Sequence, residues 1–342
     1  MTQINKRPLK RFSIILTVIV LIVALVLGSF LYLNSQRGYV GNVESLIVGM
    51  EPNQVNLLVY VAENQSYLAA NGLNVTIKDY ASGSAAVNGL LNGEVNVATS
   101  TEFVVANNAL ANQGIQTFGV IDKFLQIYVI GNKDRGIENV TDLAGKKVGL
   151  SVQTASEFYL GRFLELNGMD LDQISLVNVT PSQVEDALEN GTVDAVVAWQ
   201  PYVGAIENRL GNSTVMWDAQ SGQVAFDCAV STNNWISSNP ELVKRFLNSL
   251  AQAEQYIIYH PAEAKIILQN RLNLTAAYVE KVWSQYRFSL SLDQSLILAM
   301  QDESRWLIQN NLTNATAVPN FLNCIYVNGL KSVEPESVNI IG

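Results

Sequence analysis

Hydroxyls, amides and one indole recur in this sequence at one kind of place, the point where an apolar run gives way to a helical pattern. Ser82-Gly83-Ser84 follows the apolar run 73–80 and precedes Val87, Leu90 and Leu91 at helical spacing. Ser100-Thr101 follows Val95 and Val97, which alternate as a short strand. Pro52-Asn53, Asp122, Gln153-Thr154 and Trp199-Gln200 occupy comparable turns. A helix N-terminus at the carboxyl end of a strand presents free backbone N–H groups beside such side chains, and open α/β sheets bind their ligands there. The chemistry on offer is recognition. The single histidine, His260, and two distant cysteines, Cys228 and Cys324, cannot build a zinc site, and no glycine-rich phosphate loop or nucleophile elbow is visible. No metal, no cofactor and no enzymatic activity is therefore expected.

The elements that must position these turns are legible from periodicity. A strand over 45–50 leads through Glu51-Pro52-Asn53-Gln54 into a helix bearing Val55, Leu58, Val59 and Ala62. Asn92-Gly93 closes the helix after Ser84, and Thr99 with Glu102 three residues on fits a capping box opening the next one. On that reading Glu102 is a capping partner and Glu51 a solvated charge. A strand over 116–121 ends at Asp122-Lys123, and 126–131 forms another. The second half repeats the scheme: strand 147–151, turn Gln153-Thr154, helix 156–167, strand 174–179, and Thr180-Pro181-Ser182-Gln183 opening a helix. Leu188-Glu-Asn-Gly-Thr-Val-Asp194 echoes Leu90-Leu-Asn-Gly-Glu-Val-Asn96, which sets Trp199 opposite Thr101. After an apolar strand over 223–231 the pattern turns helical, with starts at Asn239-Pro240-Glu241 and after Pro261, Thr275 and Asp293.

The succession Tyr60-Val61-Ala62-Glu63, Asn71-Gly72-Leu73, Ser82-Gly83-Ser84-Ala85, Asn92-Gly93-Glu94-Val95-Asn96, Asp142-Leu143-Ala144-Gly145-Lys146-Lys147-Val148-Gly149 and Asn190-Gly191-Thr192-Val193-Asp194-Ala195 resembles the solute-binding proteins of ABC importers for nitrate, sulfonates and taurine. Binders of the thiamine pyrimidine precursor belong to the same superfamily. The resemblance covers about residues 45–340 and implies an α/β, two-lobed type II periplasmic-binding-protein fold closing on a small-molecule ligand. It also implies partnership with a permease and its cytoplasmic ATPase, and a monomeric protein. Carried over, the ligand-facing positions are Pro52, Asn53, Ser82, Gly83, Ser84, Ser100, Thr101, Asp122, Gln153, Thr154, Trp199 and Gln200. No Arg stands in these turns, where a sulfonate or nitrate would profit from a fork of donors. Glu51, Glu102, Asp122, Trp199 and Tyr202 lie in or beside them and suit a neutral or cationic ring, such as a thiamine pyrimidine precursor. Both ligand classes stay open, as does a cell-surface sensing module acting through a partner receptor.

The expected organisation is a cytoplasmic stub over 1–11, one N-terminal transmembrane helix over 12–33, a tether over 34–44, a first lobe over 45–125 and 226–342, and a second lobe over 126–225. The run 12–33 is almost unbroken in its apolarity and follows Lys6, Arg7, Lys10 and Arg11, which orients the body outside the cell membrane. A cleaved signal peptide is the competing reading. Five of the 21 basic residues precede residue 38 and none of the 30 acidic ones does, so the body is more acidic than the net −9 of the whole chain. Nucleic acid is excluded as a partner for such a surface. Outside the cell Cys228 and Cys324 are a candidate disulfide. Sequons at Asn64, Asn74, Asn139, Asn178, Asn190, Asn212, Asn273, Asn311 and Asn314 fit a glycosylated surface.

Overall fold

Two twisted sheets, each covered by helices, organise the computed structural model, which describes residues 39–341. The first sheet has six strands in the order β11-β4-β10-β3-β1-β2: β1 (Glu44–Met50), β2 (Leu73–Asp79), β3 (Val97–Thr101), β4 (Ile115–Phe124), β10 (Ala225–Thr232) and β11 (Tyr286–Arg287). The second has five, in the order β7-β6-β8-β5-β9: β5 (Tyr128–Asn132), β6 (Lys147–Leu150), β7 (Ser175–Asn178), β8 (Ala195–Ala198) and β9 (Thr214–Asp218). Each sheet holds a parallel trio, β2-β1-β3 or β7-β6-β8, flanked by an antiparallel strand that arrives just after the chain has crossed between sheets: β10 in the first, β5 in the second. The mixed α/β periplasmic-binding-protein fold follows from this arrangement.

The sequence echo has a structural cause. Asn96 Oδ1 accepts from the Ile47 N–H at 2.8 Å, and Asp194 Oδ2 accepts from the Lys147 N–H at 2.9 Å. In each half an Asx side chain fastens the loop before the third parallel strand to the first, at its middle in one half and its start in the other. A strand edge lacking that acceptor would leave a backbone donor to solvent.

Helices follow from apolar spacing and caps. α1 (Leu57–Asn64) buries Leu57 through Ala62 beneath α7 (Pro240–Tyr259). α7 starts at Pro240, whose missing N–H is no loss at the first position, and buries Val243, Phe246, Leu247 and Leu250 along one stripe. Each such side chain contributes roughly 1.5–3 kcal/mol relative to exposure. α2 (Gly83–Leu91) is capped by Ser82, whose Oγ accepts from the Ala85 N–H at 3.1 Å. α3 (Glu102–Leu110) and α4 (Ala155–Leu166) start at the ends of strands, and α10 (Gln294–Gln309) packs on both. An apolar cluster therefore spans the two sheets, joining Val55, Phe103 and Phe124 to Phe158, Leu160 and Trp306.

Several expectations are corrected. β3 runs to Thr101, paired with Asp227 of β10, so Thr101 and not Thr99 precedes the helix. Glu102 is no capping partner: it is fully buried, and its carboxylate accepts from the Phe226 N–H at 3.1 Å. Asp122 lies within β4 rather than at a strand end, because β4 pairs with β10 and β11 up to Phe124. Cys228 and Cys324 are both free. Thr117 of β4 pairs with Val230 on one side and bridges to Ile325 on the other. A strand thus separates the two cysteine-bearing segments, which places them about two strand spacings, ~9.5 Å, apart, beyond the reach of a disulfide. The transmembrane span 12–33 lies outside the described residues, among which no helix is long and apolar enough to cross a membrane.

Candidate functional site

At the carboxyl ends of β1, β3 and β8 the two sheets face each other across a cavity of about 50 Å³, several times what one water requires. The end of β1 delivers Glu51, which is buried and doubly bonded: Oε1 accepts from Trp199 Nε1 at 3.0 Å and Oε2 from Asn53 Nδ2 at 3.0 Å. Asn56 Nδ2 braces this turn through the Glu51 carbonyl at 2.9 Å and Asn53 Oδ1 at 3.1 Å. Trp199 comes from the end of β8, so the Glu51–Trp199 bond ties one sheet to the other across the cavity. Its indole meets Tyr202 edge-to-face, with centroids 5.9 Å apart.

The first sheet adds the start of α2 and the end of β3. A Cβ on Gly83 would stand 2.7 Å from Ser100 Oγ and 3.0 Å from Ser100 Cα, so only glycine lets the helix start approach that strand. The second sheet adds the start of α4, with Thr154, Ala155 and Ser156 in the lining. Two helix N-termini, one from each half, thus bear on the same space. Phe124, Gln126 and Ile127 line it from the crossing between sheets, and Asp227 from β10.

Of the residues expected from sequence, Asn53, Ser82, Gly83, Ser84, Ser100, Thr101, Thr154 and Trp199 come together in this lining. The other four stand elsewhere. Pro52 and Gln153 are exposed. Gln200 accepts from the Tyr278 hydroxyl at 2.5 Å and from the Gly204 N–H at 3.2 Å. Asp122 accepts from the Arg287 N–H at 2.9 Å, away from the cavity. Both charged residues of the lining were missed. Glu51 reads in sequence as a solvated charge but is buried here, and Asp227 lies inside the apolar run Ala225-Phe226-Asp227-Cys228-Ala229-Val230. The signal for Asp227 is that lone carboxylate: a strand buried on both faces carries one only at a cost.

The electrostatics are one-sided. Among the described residues the lining contains two carboxylates and no Lys, Arg or His. Burial pushes Glu51 up to about 8, against the pull of its bonds to Trp199 and Asn53 and with added repulsion from Asp227. Burial alone pushes Asp227 up to about 8. Asp122 and Glu102 are raised as well, by burial first, with Asp227 adding repulsion to both. Asp227 Oδ2, Ser100 Oγ, Thr101 Oγ1 and Ser156 Oγ are buried without a hydrogen-bond partner in the protein. Around a cavity of this size such groups are available to a solute or to water.

Residues 53–264 match the family described as NMT1/THI5 like. A putative binding protein of Brucella abortus (strain 2308) is 27% identical over 169 residues, 46% of this chain and 52% of that one. The chain thus spans about half the length of that relative. The taurine-binding periplasmic protein of Escherichia coli (strain K12) is 25% identical over 209 residues, 58% of this chain and 62% of that one. In structure, the alkanesulfonate-binding protein SsuA from Xanthomonas axonopodis pv. citri, bound to MOPS, superposes with a TM-score of 0.74 at 17% identity, covering 84% of this chain and 99% of its own. That likeness establishes the fold.

Proposed function

Because this chain belongs to the NMT1/THI5-like family, we propose that it is the solute-binding subunit of an ABC importer, holding a small molecule between two lobes. The lobes are 45–125 with 226–342, and 126–225. The observation that carries this reading is the Glu51–Trp199 hydrogen bond of 3.0 Å, which closes a cavity lined by residues of both sheets. A ligand that contacts both halves favours the closed arrangement by its differential affinity for that state, and the closed form is what a permease with a cytoplasmic ATPase would recognise. The body works outside the cell membrane as a monomer, tethered through 12–33, and the asparagine of every sequon is exposed to receive a glycan. The resting role is capture without turnover.

The test is thermal unfolding of the full-length protein against nitrate, taurine, alkanesulfonates, aromatic carboxylates and thiamine pyrimidines. A true ligand at one hundred times its dissociation constant adds about 2.7 kcal/mol of stability. The recovered compound should be chemically unchanged by mass spectrometry. Turnover of that compound would contradict a pure binding role.

A further inference from the structure

The unpartnered polar atoms of the lining, Asn56 Oδ1 among them, are not equivalent. Ser100, Thr101 and Ser156 hydroxyls can donate or accept, and so they fit almost any polar solute. Asp227 is different. It is buried and it lines the cavity, yet its Oδ2 has no partner. Among the described residues, the groups that feel its charge are acidic or a thiol: Glu51 from the end of β1, Glu102 from the start of α3, Asp122 from β4, and Cys228 beside it on β10; Lys123, over the neighbouring Phe226 ring, is paired with Asp293 at 2.5 Å.

Resting on the solute-capture reading, we infer that the cavity selects an organic cation, whose protonated nitrogen lies against the Asp227 carboxylate with Glu51 beside it. A cationic N–H donor supplies what Asp227 Oδ2 lacks and relieves the repulsion among the surrounding carboxylates. The apolar part of such a ligand meets Trp199, Phe124 and Ile127, and aromatic faces attract cations. The opposing influence is the pair of helix N-termini, which favour negative charge. Their partial charges are smaller than a full carboxylate and act only over the first turn, so a ligand with an anionic end would place that end at Ser84 and Ser156. A bare oxyanion would be left facing two carboxylates with no basic side chain to offset them.

An oxyanion could still bind if Asp227 were protonated and donated to it, and pH separates the two cases. Cation binding needs the ionised carboxylate and strengthens from pH 6 to pH 8; oxyanion binding to the protonated acid weakens over the same interval. The experiment takes full-length protein and Asp227→Asn, screens both by thermal shift with matched sets of small amines, amidines and guanidines, which stay protonated at both pH values, against sulfonates, carboxylates and neutral isosteres, and titrates each hit at pH 6 and pH 8. The expected result is that hits carry a basic nitrogen, bind more tightly at pH 8, and lose about thirty-fold or more of their affinity in Asp227→Asn, while the unliganded variant keeps a cooperative unfolding transition. Hits confined to compounds without a basic nitrogen, tighter binding at pH 6, or undiminished binding of a cation by the variant would overturn the inference. A screen in which nothing stabilises the wild-type protein contradicts solute capture itself, and the inference falls with it.

Discussion

Burial of carboxylates is the feature of single residues that most affects behaviour in solution. Glu51 and Asp227 titrate near 8 in the folded protein, against ordinary values of 4.5 and 3.8, and Asp122, Glu102 and Glu303 are displaced in the same direction by burial. With folded values above unfolded ones, the native state binds more protons than the unfolded chain between about pH 4 and pH 8. The stabilisation is complete below the unfolded values and is lost as pH rises through the folded ones. Calorimetry of the unliganded protein should show a melting temperature falling by about 5 °C or more between pH 5 and pH 8.5; a rise over that interval would contradict the burial of these groups. Glu51→Gln tests the bond across the cavity. The amide oxygen can still accept from Trp199, so unliganded stability at pH 4 should change by less than about 1 kcal/mol, with the downward slope between about pH 4.5 and pH 8 reduced. Trp199 and Ser84 were legible in sequence because each ends an apolar run. Asp227 was not, because it interrupts a run, and periodicity says nothing about a side chain that breaks its own pattern at an energetic cost.

At the level of elements, two glycines set how closely helices approach their neighbours. Gly83→Ala would force the start of α2 away from Ser100, whose backbone cannot yield as a side-chain tip would. Ligand affinity should fall by about tenfold, equivalent to 1.4 kcal/mol, with little loss of global stability. Gly161 of α4 faces the Trp306 indole of α10, and a Cβ there would lie 2.2 Å from the ring. Overpacking costs about 1–3 kcal/mol and the gain in helix propensity returns up to ~1, so denaturant unfolding of Gly161→Ala should show a net loss of about 1–2 kcal/mol. An unchanged midpoint would show that Trp306 repacks freely. The repeated Leu-x-Asn-Gly-x-Val-Asx motif was legible because both copies perform the same hydrogen-bonding task. The cap at Thr101 was misplaced by two residues because Thr99 and Ser100 carry the same hydroxyl chemistry, and only pairing of Thr101 with Asp227 decides where the strand stops. Asp122 went astray for a related reason: pairing with β10 and β11 carries β4 through a polar pair that reads locally as a turn.

For the whole molecule, the proposed function requires solute to be held by the two halves together. The mixed α/β fold was legible from its alternating strand and helix patterns, and the resemblance supplied the closing geometry. The packing of α10 across both sheets was not legible, since an apolar helical stripe does not name the surface it covers. The most direct measurement is calorimetric titration of the best-stabilising compound into wild-type protein, Ser84→Ala, Trp199→Ala and the double variant. Each single change removes one half's contribution, so each should weaken binding at least about tenfold, and the double variant should lose less than the sum of the two because either loss already releases closure. Unchanged affinity in both single variants would place the ligand elsewhere and contradict the account.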